Sequence, residues 1–255
     1  MPARSPLVVL GCGYTGLAAA RFALDEGRAV MATSRSAARA AELEALGIDA
    51  RVCAELDAAR VEELVAPGAA VLITFPPDGH TDARIAPALG RAGAIVYLSS
   101  TGVYGAASGA IDEDTPVDPA APRAAPRLAA EEAYRRVGAI VLRAAAIYGP
   151  DRGLHLRLAR GEHRIAGDGH AVVSRVHVDD LARLALAALD RGERGALFNA
   201  ADDAPVPQIE VIRWLCARLD LPLPGAVAPE TLHETLRHDR AISSARIQAA
   251  LGLRL

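Results

Sequence analysis

The sequence predicts a doubly wound parallel α/β sheet with helices on both faces and a smaller C-terminal lobe. Two observations carry this expectation. Short apolar, β-branched runs alternate with Ala/Leu/Arg segments of helical period from Leu7 to Arg143. The first of these runs ends in a glycine-rich loop that opens a helix. The chain has 255 residues, enough for one or two domains at about 150 residues each. With 51% apolar and 23% charged residues it has the composition of a folded globular protein, which excludes global disorder.

In chain order, the expected strands are Leu7–Leu10, Ala29–Thr33, Ala50–Cys53, Ala70–Thr74, Ala94–Ser99 and Ala139–Arg143. Each is short and nearly continuous in apolar residues, as strands covered on both faces must be. The expected helices are Gly16–Glu26, Ser36–Leu46, Ala58–Val65, Asp82–Arg91 and Arg127–Val137. Right-handed crossovers then bring the loops after each strand to one edge, where ligands bind.

Beyond Pro150 the pattern loosens. A short helix near His155–Arg160 precedes an extended stretch, Ala171–Val178, and a strong helix, Asp179–Asp190. Gln208–Leu219 is a second amphipathic helix, with Trp214 expected in the core, before a Pro-rich turn (Leu221–Pro229) and a polar tail. The expected division is residues 1–150 as one domain and 151–255 as the lobe, with 179–200 packing back onto the first.

Several function classes are excluded by composition. A net charge of −3 gives no basic field for nucleic acid or anionic lipid. No apolar run approaches the roughly 18 residues of a membrane span. Leu7–Leu10 runs into glycines rather than a cleavage site, so a cytoplasmic protein is expected. Cys12, Cys53 and Cys216 are scattered and the seven histidines dispersed, so no metal site or disulfide framework is expected. All 28 basic residues are arginines. The absence of lysine excludes Schiff-base, P-loop-lysine and Tyr-Lys chemistry.

Val8-Val9-Leu10-Gly11-Cys12-Gly13-Tyr14-Thr15-Gly16 is a G-x-G-x-x-G between a strand and a helix, the context in which that motif binds dinucleotides. Gly11 permits the tight turn, Gly13 the approach of a pyrophosphate and Gly16 close helix–strand packing, and the helix start offers amides to the phosphates. The domain is therefore of the Rossmann type. The second strand runs into Thr33-Ser34-Arg35-Ser36, without the carboxylate that accepts from an NAD ribose. A hydroxyl and a guanidinium fit a 2′-phosphate, so NADP is expected over NAD.

Three further segments resemble the extended short-chain dehydrogenases/reductases of the NAD-dependent epimerase/dehydratase family. They are Ser99-Ser100-Thr101-Gly102-Val103-Tyr104-Gly105, Leu142-Arg143-Ala144-Ala145-Ala146-Ile147-Tyr148-Gly149-Pro150 and Val176-His177-Val178-Asp179-Asp180. The resemblance implies a nicotinamide cofactor across the strand ends and a small polar or nucleotide-sugar-like substrate held by the C-terminal lobe. It implies Ser100 as the catalytic hydroxyl, Phe75 and Pro76 along the cofactor, and Ala145 and Ile147 at the nicotinamide, beside Tyr14 and Thr15 of the glycine loop, which are expected to bind the cofactor. It also implies a possible homodimer, through helices flanking the fifth and sixth strands.

Where the family carries Tyr-x-x-x-Lys, this chain has Arg123 and Arg127. Arginine does not deprotonate, so the expected acid/base set is non-standard: Ser100 with Tyr104 or water. The two guanidiniums, one helical turn apart, are expected to hold a substrate anion, with Arg175 as a third candidate. At the helix start after His177, Asp179 is expected as the N-cap and Asp180 as a dipole partner. The alternative to an enzyme is a non-catalytic NADP-binding sensor or partner protein on the same fold.

Overall fold

The computed structural model describes residues 4–121, 123–231 and 238–254. The first five strands are β1 (Leu7–Leu10), β2 (Val30–Ser34), β3 (Asp49–Val52), β4 (Ala70–Ile73) and β5 (Ala94–Ser100). The later ones are β6 (Gly109–Ile111), β7 (Ile140–Ala144), β8 (Ala146–Tyr148), β9 (Ile165–Ala166), β10 (Arg175–His177), β11 (Leu197–Ala200), β12 (Ala226–Val227) and β13 (Arg240–Ile242). Helices α1 (Tyr14–Asp25), α2 (Ala37–Glu44), α3 (Ala58–Leu64), α4 (Thr81–Ile85) and α5 (Ala124–Arg136) alternate with the early strands. After them come α6 (Leu154–Ala159), α7 (Val178–Arg191), α8 (Gln208–Leu219) and α9 (Ala245–Leu251).

The main sheet has seven parallel strands in the order β11-β7-β5-β4-β1-β2-β3. The chain winds from β1 outward through β2 and β3, then returns to β4 and proceeds the other way. The crevice between the carboxyl ends of β1 and β4 is the topological switch point, where such sheets bind ligands. One face packs against α1, α2, α7 and α9 through strand residues such as Val9 and Leu72, and the other against α3, α4 and α5 through Val71, Ile95 and Tyr97. Every residue of β1 and β4 is buried, because helices cover both faces.

The six expected strands are present, with ends shifted by one residue or so. The expected helix over Asp82–Arg91 is instead α4 followed by a 3₁₀ turn, Ala86–Arg91. Pro87 is the reason, since it lacks the N–H that would continue an α-helix. Helix α5 begins at Ala124, three residues before the expected start, and Pro126 sits in its first turn, where amides have no intrahelical acceptor.

Residues 178–200 and the end of the chain both join the main body of the fold. Strand β11 adds to the main sheet beside β7, and α7 packs on α1. The expected polar tail contains β13, paired with β6, and α9, whose Leu251 carbonyl accepts from the Arg191 guanidinium at 2.7 Å. Residues 232–237 of that tail lie outside the described residues. Trp214 is not core: it is 62% exposed, on the side of α8 opposite Ile209 and Ile212. Helix α7 is capped by His177, whose Nδ1 accepts from the Asp179 amide at 3.2 Å, so Asp179 lies in the first turn rather than at the cap.

Candidate active site

The glycine loop crosses the end of β1 under tight steric control. Gly11 has φ of +80°, and a Cβ there would stand 2.7 Å from Phe75 Cβ. Its amide donates to Thr33 Oγ1 at 2.8 Å and its carbonyl accepts from Thr74 Oγ1 at 2.6 Å, which ties β1, β2 and β4 together at the switch point. A Cβ on Gly16 would meet Thr74 Oγ1 at 2.8 Å and Val9 Cγ1 at 2.9 Å. Gly13 differs: a Cβ there meets nothing nearer than 3.9 Å, so its bare side faces open space at the start of α1. With glycine as N-cap, no side chain occupies the first amides of α1. These features fit a dinucleotide pyrophosphate, which needs free amides and close backbone approach.

A cavity of about 1250 Å³ opens from this helix start. Its walls include Tyr14, Thr15, Phe75 and Pro76 at the glycine-loop end, Ser100 at the end of β5, and Ala145 and Ile147 beyond β7. All seven are residues expected from the sequence, and the fold brings them around one space. The Arg152 guanidinium lies over the Tyr14 ring, 5.9 Å from its centroid. Ser34 and Arg35 sit outside the cavity, at the end of β2. Ser34 Oγ turns onto Ser36 and Arg35 is exposed, with no partner among the described residues.

Ser100 caps the 3₁₀ turn Thr101–Tyr104, and its Oγ accepts from the Gly102 amide at 3.1 Å. The hydroxyl proton remains available to the cavity. Arg240 of β13 fixes this turn by donating to the carbonyls of Thr101, at 3.1 Å, and Gly105. Arg123 adopts a left-handed backbone, φ +67°, as the N-cap of α5. Arg123, Arg127 and Arg175 all line the cavity. Arg175 is half-buried at the start of β10, donates to the Val173 carbonyl at 2.7 Å, and has its pKa lowered by burial.

Tyr104 is placed differently from its expected role. It is 1% exposed and lies outside the cavity lining. Its hydroxyl donates to Asn199 Oδ1 at 2.8 Å and accepts from Arg143 at 3.1 Å. Burial raises its pKa further. A phenol so enclosed is a structural hydrogen-bonding group. Arg143 also donates twice to Glu131, at 3.1 and 2.7 Å, and Glu131 accepts from Ser99. Glu131, a residue of mid-α5, is thus a buried partner of β5 and β7. Tyr134 also turns inward and donates to Asp82 at 2.8 Å.

Three further cavity residues were not among the expected site residues. Tyr148 lines the wall next to Ile147, edge-on to His177 at 5.2 Å. Its pKa is raised by burial and by Asp202 and Asp180, so its proton is retained at neutral pH. His163 and Gln208 are almost wholly buried, yet both line the cavity. No motif or periodicity marks either of these two.

Residues 7–201 match the family model described as NAD dependent epimerase/dehydratase family. The chain belongs to that family. The family description names NAD-dependent epimerases and dehydratases, and this chain has the family's Rossmann-type fold. A solved structure of a conserved protein of unknown function from Silicibacter pomeroyi DSS is 31% identical. It superposes with a TM-score of 0.85, over 99% of this chain and 94% of that one. A UDP-glucuronic acid 4-epimerase from Bacillus cereus, solved with NAD, is 16% identical, with a TM-score of 0.78 and coverage of 97% and 92%, a likeness of fold. The 3-diazoavenalumate denitrifying reductase of a Streptomyces species is 31% identical over 164 residues, 56% of this chain. That match spans about half the relative's length, at 54%. No helix among the described residues is long and apolar enough to cross a membrane.

Proposed function

We propose that the protein is an NADP-dependent oxidoreductase acting on a small polar, anionic substrate without a Tyr-Lys pair. The observation that carries this reading is the continuous cavity from the first amides of α1, past Ser100, to a series of arginines. Gly11, Gly13, Tyr14, Thr15 and Gly16 would hold the pyrophosphate, with Phe75 and Pro76 alongside and Ala145 and Ile147 at the nicotinamide. When bound, the nicotinamide supplies or accepts a hydride. Ser100 holds the reacting oxygen through a hydrogen bond from its hydroxyl. Arg123, Arg127 and Arg175 hold the substrate's negative charge. Water, or the protonated Tyr148 on the wall, carries the proton in place of the buried Tyr104.

NADP rather than NAD is supported by the end of β2. No carboxylate stands there, Arg35 is exposed and unpaired among the described residues, and the start of α2 follows at once. Calorimetric titration with NADPH and NADH tests this, with NADPH expected to bind more tightly. Arg35→Asp is expected to weaken NADPH far more than NADH; equal losses would remove the 2′-phosphate argument.

The name of the Streptomyces relative, a denitrifying reductase, fits a site built for reduction more than for epimerisation. The three cysteines are free and buried, which supports a reducing, cytoplasmic setting. A homodimer would pair through α4 and α5, and sedimentation velocity would register it.

A non-catalytic NADP sensor on the same fold is the second reading. It is favoured by Arg123 and Arg127 at the positions of the family's proton relay, since arginine exchanges no proton near neutrality. A sensor would distinguish NADP⁺ from NADPH in the same titrations and leave NADPH unconsumed with any substrate.

A further inference from the structure

A second turn reaches the glycine-loop end of the cavity. After β8 the chain reverses over Pro150 and Asp151. The Gly149 amide donates to the Arg152 carbonyl at 2.8 Å, and the Arg152 amide to the Gly149 carbonyl at 3.1 Å. This turn is docked on the side chain of Tyr14, the first residue of α1. A Cβ on Gly149 would collide with Tyr14 Oη and with Val178 Cγ1, so only glycine lets the turn approach the ring this closely. The Tyr14 hydroxyl is buried there and makes no hydrogen bond, so the residue serves this contact through its ring. Held by the turn, the Arg152 guanidinium lies over that ring, 5.9 Å from the centroid. Arg152 is exposed, lines the cavity with Thr15 and Phe75, and forms no ion pair among the described residues, not even with the adjacent Asp151. A guanidinium over an aromatic ring engages only its flat face, and its N–H donors stay free in the plane for two oxygens of an anion.

We propose that Arg152 is a phosphate clamp for the cofactor, seated on the Tyr14 ring, which binds the phosphate attached to the nicotinamide ribose. Charge balance calls for such a residue. A dinucleotide bridge carries a negative charge on each phosphate, whereas the start of a helix supplies only about half a unit of positive charge. The first turn of α1, Tyr14-Thr15-Gly16-Leu17, contains no basic residue. Arg152 adds a full charge and a planar fork. Its place selects the phosphate. The amide of Tyr14 is one of the free amides of α1, so a guanidinium over the Tyr14 ring stands one side chain from the pyrophosphate cradle. The turn also follows directly from Ile147 and Tyr148, on the nicotinamide side, while the adenosine end of the cofactor lies toward β2 and Arg35. This inference rests on the cofactor reading above, and it adds a charged contact that the glycine motif does not supply.

The test is calorimetric titration of the parent and Arg152→Gln with three ligands. NADP⁺ is the first. The second, 2′-phospho-ADP-ribose, keeps both bridging phosphates but has no nicotinamide. The third, adenosine 2′,5′-bisphosphate, keeps the adenosine phosphates and lacks the phosphate on the nicotinamide side. Arg152→Gln is expected to weaken NADP⁺ and 2′-phospho-ADP-ribose about tenfold each, as loss of a charge-assisted hydrogen bond implies, and to leave the bisphosphate unchanged. The Tm should equal the parent's, because the side chain is exposed. The parent's advantage over the variant should shrink as sodium chloride is raised, which a loss of packing alone would not produce. Equal weakening of all three ligands, weakening of NADP⁺ alone, or no weakening of any overturns the clamp while leaving the cofactor reading intact. A parent that binds none of the three strikes the cofactor reading, and the clamp with it.

Discussion

Replacing Glu131 with alanine would strip the Arg143 guanidinium of both its carboxylate hydrogen bonds and leave the Ser99 hydroxyl without its acceptor. The two charged side chains, Arg143 and Glu131, are 7% and 5% exposed, so water cannot take the carboxylate's place. An uncompensated buried charge costs about 3–5 kcal/mol, whereas an exposed pair such as Arg136 with Glu132 is worth little. At about 2–4 °C per kcal/mol for a chain of this size, the unfolding midpoint should fall by roughly 10 °C. Urea denaturation followed by far-UV circular dichroism measures the loss as a shift in midpoint at constant slope. The double variant Glu131→Leu, Arg143→Met removes both charges together and should recover most of the stability. A single-variant loss below about 1 kcal/mol, the value of a surface pair, would refute the reasoning. So would a double variant no more stable than Glu131→Ala.

Two glycines of one motif should separate binding from folding. Gly13→Val is expected to keep the parent Tm, because its Cβ meets nothing nearer than 3.9 Å, yet to lose binding of both nucleotides. Gly16→Val drives its Cβ into Thr74 and Val9 and should lower the Tm; retained nucleotide binding by Gly13→Val would mean the loop is not a pyrophosphate cradle. The low pKa of His163, about 4 in the fold against about 6.5 in the unfolded chain, makes a pH prediction. Its contribution to stability is fully present above about 6.5 and is lost as pH falls through about 4. His163→Gln should therefore flatten the acid-side decline of stability. Asp202, raised to about 6 by burial, works in the opposite sense in an overlapping range. The comparison is thus between variant and parent, and parallel pH profiles would exclude the buried neutral histidine.

The main strands were readable because a sheet covered on both faces demands short apolar runs, and Val8-Val9-Leu10 or Ala70-Val71-Leu72-Ile73 have no other use. Strands β6, β11 and β13 were not. They lack a continuous apolar run, and their pairing depends on a distant partner rather than on their own pattern. Trp214 shows the limit of periodicity, since an amphipathic spacing fixes which residues share a face but not how far the covering partner extends. The glycine loop was legible for a local reason: the turn, the amides and the helix start all lie within six consecutive positions, Gly11 to Gly16.

Local sequence thus dictated the order of strands and helices, the glycine-rich turn at the end of β1, the lack of a Tyr-Lys pair and the presence of Ser100 at a strand end. Only the packed chain decided which polar side chains face the cavity. Tyr104 meets Asn199, 95 positions away, and is removed from the chemistry. His163 carries no motif, yet it is left without partners beside Arg157 and Arg175. The parallel crossovers bring such distant residues together, and the side from which each is buried follows from helix packing across the sheet, a property no window of sequence contains.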